Sequence, residues 1–270
     1  MNDAPHILLL GGTSETAPLA VKLATVGYQV LVSTATDADL AVGDHPAICR
    51  RCGRLDRDQL AALIEYDRMA AVIDATHPYA RDVHQAARDA ATHSQRPYLR
   101  YQRQALVEAS GAVVTARDHD EAAQLACAAG RPVLLTTGSR HLGPYVAAAQ
   151  HNGIALYARM LNHPEAVAAC EQAGLAEQGR IFGRGPFSLE QNRALIRHYH
   201  IGVLVTKDSG RAGGVAEKLA AARQEQCRVI VVQRPDETTD NTFDDMDRLI
   251  AALQQCCPPI PAVLKTGELK

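Results

Sequence analysis

HILLLGGTSETAPLAVKLATVGYQVLVST, His6 to Thr34, reads as strand, glycine turn, helix and strand. The apolar run Ile7–Leu10 stops at Gly11 and Gly12. A helical pattern from Glu15 to Val26 follows, ended by Gly27 as a C-cap, and Gln29–Ser33 is the next strand. The same cadence recurs at VIDATHPYA (Val72–Ala80), LLTTGSR (Leu134–Arg140), IFGRGPFSLEQN (Ile181–Asn192) and VLVTKDSGRAGG (Val203–Gly214). Each is a short apolar strand that halts at Gly, Thr, Ser, Asp or His and leads into a helical pattern. In a parallel α/β sheet those halts share one edge, and ligands bind outside the carboxyl ends of the strands. The polar loops are therefore offered to one cleft or to two facing clefts.

The intervening segments extend this order. After a loop rich in Asp and Pro, Asp56–Tyr66 predicts a helix, Ala70–Asp74 a strand, Asp82–His93 a helix and Pro97–Tyr101 a strand. That is a β-α-β-α-β unit, the mononucleotide-binding half of a doubly wound fold. The pattern restarts at a weak strand, Ala112–Thr115, and alternates to a last helix at Phe243–Gln254, with Ser188 as the N-cap of the helix that follows GRGPF. The fold class is α/β, with two Rossmann-like domains of mostly parallel sheet. Residues 1–105 are predicted as an N-terminal dinucleotide-binding domain, 106–255 as a C-terminal Rossmann-like domain and 256–270 as a tail. Cys256 and Cys257 precede Pro258, Pro259 and Pro261, which predicts an extended or disordered end.

Composition narrows the class. With 28 basic and 30 acidic residues the net charge is −2, so nothing global points to nucleic acid or a membrane surface. Met1–Pro5 has no positive n-region, Ile7–Leu10 is too short for a signal core, and no apolar stretch approaches membrane-spanning length, so a cytoplasmic location is expected. Seven scattered cysteines fit free thiols in a reducing compartment. Cys49 and Cys52 form a lone C-x-x-C without a second pair at zinc spacing, which allows a redox pair but favours incidental thiols in a loop. No signal bears on the oligomeric state.

The turns carry distinct chemistry. In GGTSE, Gly11 stands where a dinucleotide fingerprint has its first glycine, but Thr13 and Thr16 occupy the other glycine positions. Glycine lets the backbone approach a ligand closely, and the following helix N-terminus favours an anion. Glu15 repels a pyrophosphate and suits a sugar or base. The second strand ends in Ser33, Thr34 and Thr36, with Asp37 only later. Hydroxyls tolerate a 2′-phosphate better than a carboxylate does, which favours NADPH while leaving NADH open. In DATHPYA, His77 can exchange a proton near neutral pH, and Asp74 can fix its tautomer or hold a ribose. Further along come Thr136, Thr137, Ser139 and Arg140, then Arg184, then Lys207, Asp208 and Ser209. No nucleophile elbow, Walker A sequence or Tyr-x-x-x-Lys pair is present. Arg81, Arg100, Arg103, Arg140, Arg159, Arg184, Lys207 and Arg211 gather near these loops. They form a solvated rim or receive a substrate with several carboxylates.

As a set, GGTSE, DATHPYA, TTGSR, GPFS-x-E-x-N and VTKDSG-x-x-GG-x-x-EK resemble the precorrin-6A reductases of cobalamin biosynthesis, over roughly residues 6–255. The resemblance implies two Rossmann-like domains with the cofactor in the cleft between them. It implies hydride transfer from a reduced nicotinamide, usually NADPH, to a C=C bond of the corrin precursor, a tetrapyrrole-derived macrocycle. Gly11, Gly12, Thr13 and Glu15 carry over as cofactor contacts, with Ser33 and Thr34 near the ribose. Asp74, Thr76 and His77 match the second motif, and Lys207, Asp208, Ser209 and Gly210 the last; Asp74, Thr76 and that last group are likewise expected at the cofactor. Arg140, Arg184 and Arg211 are expected at the substrate carboxylates. His77 or Tyr79 is the candidate proton source, with water as an equal alternative, and the step needs no metal. Two rivals are an NADP oxidoreductase with a smaller acidic substrate and a non-catalytic nucleotide-binding protein.

Overall fold

The computed structural model describes residues 4–36, 41–103, 113–208, 214–234 and 241–259. The chain forms two compact units, 1–103 with 235–270 and 104–234. In unit 1, β1 (His6–Leu10) is central. It is flanked on one side by β2 (Gln29–Thr34) and β3 (Ile48–Cys52), and on the other by β4 (Ala71–Asp74) and β5 (Tyr98–Tyr101). All pairings are parallel, with Leu10 opposite both Ser33 and Asp74. Helices α1 (Thr16–Thr25), α2 (Arg57–Tyr66) and α3 (Arg81–His93) connect them. Successive β1 side chains point to opposite faces. Ile7 and Leu9 join Leu19 and Leu23 of α1 on one face, while Leu8 and Leu10 join Leu60 and Ile64 of α2 and Ala87 and Ala91 of α3 on the other. Each fully buried Leu or Ile contributes about 1.5–3 kcal/mol.

Unit 2 repeats the plan. Its strands are β6 (Val113–Ala116), β7 (Val133–Leu135), β8 (Leu156–Met160), β9 (Arg180–Phe182), β10 (Val203–Lys207) and β11 (Arg228–Val232). They run in the order β6-β11-β10-β7-β8-β9, all parallel. The helices are α4 (His119–Cys127), α5 (Gly143–Asn152), α6 (Pro164–Ala173), α7 (Leu189–His198) and α8 (Val215–Gln224). Leu134, Leu204, Val229 and Val231 pack with Ile196 of α7 and Ala221 and Ala222 of α8. Ser188 caps α7 as anticipated, its hydroxyl accepting the Gln191 N–H.

The domain limits need a correction. β12 (Thr242–Phe243) pairs with β5, and α9 (Met246–Cys256) buries Leu249, Ile250 and Leu253 in the core that holds Leu9 and Leu23. Residues from 235 onward therefore belong with unit 1 and not with a second domain ending at 255. The outermost strands are exchanged: β6, which follows β5 in the chain, completes the sheet of unit 2, and β12, which follows β11, completes the sheet of unit 1. Nor does a loose tail begin at 256. The Tyr28 hydroxyl donates to the Cys257 carbonyl, and the Cys257 thiol donates to the Ala70 carbonyl. A further correction concerns Cys49 and Cys52, which lie on β3 and not in a loop. Three residues apart on one strand, they point to opposite faces and are free thiols.

Candidate functional site

In each unit the strand order reverses in the middle of the sheet, between β1 and β4 and between β7 and β10. A doubly wound sheet opens a crevice at that point. GGTSE and DATHPYA leave β1 and β4; TTGSR leaves β7, and Asp208 follows β10. The sequence motifs therefore stand at the two switch points.

The first turn is tight for identifiable reasons. A Cβ on Gly11 would lie 2.5 Å from the Thr16 methyl group, so the helix start leaves no room for one. Gly12 has φ +125° and would meet nothing within 4 Å, an open flank on a backbone that only glycine adopts readily. The Thr16 hydroxyl accepts the N–H groups of Gly12 and Thr13 at 3.1 and 3.2 Å, and the Thr13 hydroxyl donates to the Ala75 carbonyl at 3.0 Å. Thr13 thus ties the first turn to the β4 turn. Glu15 forms a 2.7 Å ion pair with Arg103, both side chains largely buried. Thr13, Glu15, Thr76, Pro78, Tyr101 and Arg103 line one small pocket. Burial, and then the Glu15 charge, raise the Tyr101 pKa.

At the end of β2 the structure adds what the sequence did not reveal. Arg51 donates to the Ser33 hydroxyl at 2.8 Å, and Arg50 donates to the Thr34 hydroxyl through Nε and Nη2 at 3.3 and 3.2 Å. Parallel registry sets Ser33 opposite Arg51 and Thr34 opposite Cys52. Two guanidinium groups thus surround the two hydroxyls. Asp37 lies outside the described residues.

Asp74 is corrected. It is 0% exposed, and its carboxylate accepts the Thr76 N–H and hydroxyl at 2.9 and 2.7 Å, the Tyr98 hydroxyl at 2.7 Å and His84 Nδ1 at 2.7 Å. With its oxygens so engaged, it neither holds a ribose nor orients His77. Burial alone would raise its pKa, but the His84 hydrogen bond, with those from Thr76, holds it down at about 2. Arg100 Nη2 lies 2.9 Å from His84 Nε2. A guanidinium only donates, so Nε2 accepts and Nδ1–H points at Asp74. His84 is a further residue that sequence reasoning missed. Its signal was its place on the buried stripe His84–Ala87–Ala91 of α3. His77 is half-buried; its Nδ1 accepts the Tyr79 N–H at 3.3 Å, which assigns the ring proton of the neutral form to Nε2. Its ring centroid is 5.6 Å from that of Tyr79.

In unit 2, Gly138 turns at φ +84°, and the buried Thr137 hydroxyl has no hydrogen-bond partner among the described residues. Burial, with Arg140 nearby, depresses the Lys207 pKa to about 8. His119 bonds the Tyr145 hydroxyl at 2.8 Å and stacks on His141 at 4.3 Å. Burial, then His141 and Lys207, push its pKa down to about 3. Asp208 is paired with Arg234, which donates to its carbonyl and carboxylate at 2.8 and 3.3 Å. Arg140 and Arg184 are exposed. Ser209, Gly210 and Arg211 lie outside the described residues. Among the described residues no cluster of His, Cys, Asp and Glu could hold a metal, and no helix is long and apolar enough to cross a membrane.

The family model for precorrin-6x reductase CbiJ/CobK matches residues 6–254. The chain is 31% identical over 248 residues to the cobalt-precorrin-6A reductase of Priestia megaterium, covering 92% of this chain and 97% of the relative. It is 34% identical to that of Salmonella typhimurium, covering 87% and 89%. It is 33% identical to the precorrin-6A reductase of Rhodococcus erythropolis, covering 91% and 96%. A solved CobK precorrin-6A reductase has the same fold, with TM-score 0.72, 24% identity and coverage of 94% and 97%.

Proposed function

The chain belongs to the precorrin-6x reductase CbiJ/CobK family, and on that premise we propose that it reduces a C=C bond of a precorrin-6A macrocycle with hydride from NADPH. It is an oxidoreductase acting on a carbon–carbon bond in cobalamin biosynthesis, and its relatives carry that activity in their names with and without cobalt. The observation that carries the reading to this chain is the open glycine turn at the β1/β4 switch point, with a φ of +125° at Gly12 and nothing in contact on its outer side.

The residues present fit a dinucleotide. Gly11, Gly12 and Thr13 offer a backbone that a pyrophosphate can approach closely. Ser33 and Thr34, with Arg50 and Arg51 around them, suit a 2′-phosphate, which favours NADPH over NADH. When bound, the reduced nicotinamide supplies the hydride. As an imidazolium, the half-buried His77 supplies the proton for the neighbouring carbon and is left as neutral imidazole. Thr76 and Tyr79 shape the same loop. Arg140 and Arg184, with Arg211, offer guanidinium groups to acetate and propionate side chains, and Lys207 adds a partly desolvated ammonium.

The test is NADPH oxidation by the purified protein with precorrin-6A, with and without cobalt. Turnover of either macrocycle is expected. A protein that binds NADPH but oxidises it with neither would refute the reading.

A further inference from the structure

Arg159 is charged, 8% exposed and without an acceptor among the described residues. It sits on β8 in register with Ile181 of β9, one step beyond Ala158, which pairs with Leu135. That places it at the carboxyl edge of the sheet, directly above the core layer of Leu134, Leu204 and Tyr157. Its guanidinium carbon lies 3.9 Å from the centroid of the Phe187 ring. The GRGPF turn supplies that ring: a Cβ on Gly183 or Gly185 would come within 3.0 or 3.3 Å of it, so both glycines make room for Phe187. Stacking covers one guanidinium face and leaves its N–H edge without a hydrogen bond or ion pair among the described residues. Nearby, Lys218 of α8 reaches the buried Thr206 hydroxyl at 3.4 Å and feels the Arg159 charge. Burial first, and Arg159 second, bring its pKa down to about 8 against the opposing charge of Glu217. Arg159 opens onto a groove of about 520 Å³ lined by Phe182, Phe187, Gln191, Leu195 and Tyr199 among others, none of them acidic.

Arg159 has no carboxylate partner among the described residues, and the exposed Glu217 offsets only part of what burial does to Lys218, so the two cations are costly in a low-dielectric setting. They also repel each other. No packing need explains a guanidinium at the rim of an apolar groove, because Met or Leu would fill the same space without the desolvation cost. A ligand anion removes the cost. The geometry points to Arg159 and Lys218 as a carboxylate subsite, in which an acetate or propionate of the macrocycle bonds the guanidinium edge while the flat apolar ring edge lies along Phe182 and Phe187. This assignment rests on the macrocycle reading above and adds the place where one substituent is held. It also gives a function to the GRGPF turn and to the terminal Lys of the last motif.

The test combines kinetics with stability. Arg159→Met keeps the volume and removes the charge. It is expected to raise the KM for precorrin-6A about ten-fold or more, with the NADPH Kd unchanged and the melting temperature equal or higher. Lys218→Met should act in the same direction. Arg159→Lys, which keeps the charge without the fork, should give an intermediate KM. An unchanged KM in both Met variants would overturn the subsite. So would a parallel rise in the NADPH Kd, which would assign the anion to a cofactor phosphate. Loss of folded protein in Arg159→Met with full recovery in Arg159→Lys would make Arg159 a structural cation, which also overturns it. Should the wild type not turn over precorrin-6A at all, the reaction assignment fails and the subsite is read by binding. Thermal shift with uroporphyrin, an acetate- and propionate-bearing tetrapyrrole, should then protect the wild type more than Arg159→Met, and equal protection rejects the subsite.

Discussion

His77 is oriented in part by its own loop, where the Tyr79 N–H donates to Nδ1. Replacing it with Ala should lower kcat about 10²-fold while NADPH affinity stays near normal. His77→Gln keeps a hydrogen bond but supplies no proton near neutral pH, so it should be nearly as slow. A Gln variant with most of the wild-type rate would make His77 a positioning residue, with water as the proton source. Arg51 offers a separate test in unit 1, because its bond to Ser33 gathers positive charge where a 2′-phosphate would sit. Arg51→Met should weaken NADPH binding about ten-fold and NADH binding little, since a hydrogen bond to a charged group is worth about 1.5–3 kcal/mol. Isothermal titration with both nucleotides measures this, and an equal loss for the two would place the phosphate elsewhere.

At the level of elements, the end of β4 is held by hydrogen bonds to a buried carboxylate rather than by apolar packing. Asp74 and His84 are each 0% exposed and bonded to one another. Removing His84 takes one of four hydrogen bonds from a buried carboxylate, so His84→Ala should cost about 1.5–3 kcal/mol by urea unfolding. The pair also sets an acid limit. A carboxylate whose folded pKa is depressed to about 2 stabilises the fold above its ordinary value of 3.8, and that contribution is lost as pH falls from there through 2. Asp74→Asn should flatten this part of the stability profile. Strands β1, β4, β7 and β10 were legible because apolar β-branched and Leu-rich runs end at Gly, Thr or Asp. ICRRC, the β3 strand, was not, because an edge strand carrying two arginines has no apolar face to read. Arg50 and Arg51 were therefore missed together with the strand that presents them. β12 spans only Thr242 and Phe243, too short for any periodicity. Asp74 was legible as a polar strand end, but not as buried. Its burial depends on His84, Tyr98 and Arg100 arriving from α3 and β5, a meeting set by tertiary folding.

The exchange of outer strands governs the molecule as a whole. Every strand of the unit 2 sheet lies between Val113 and Val232 in one continuous stretch. The unit 1 sheet draws on both ends of the sequence, and its core lacks Leu249, Ile250 and Leu253 until α9 is in place. A fragment spanning 113–234 should unfold cooperatively on heating, whereas 1–103 alone should show no sharp transition until a peptide covering 241–259 is added. Circular dichroism melts decide it; a sharp melt for 1–103 alone would show that the exchanged strand and α9 are dispensable. Domains commonly fold in the order in which the ribosome delivers them. Here that order is inverted. The stretch begun first must wait, with Leu9 and Leu23 only partly covered, while the later one finishes. During that interval of translation the N-terminal half is the part exposed to chaperones and proteases.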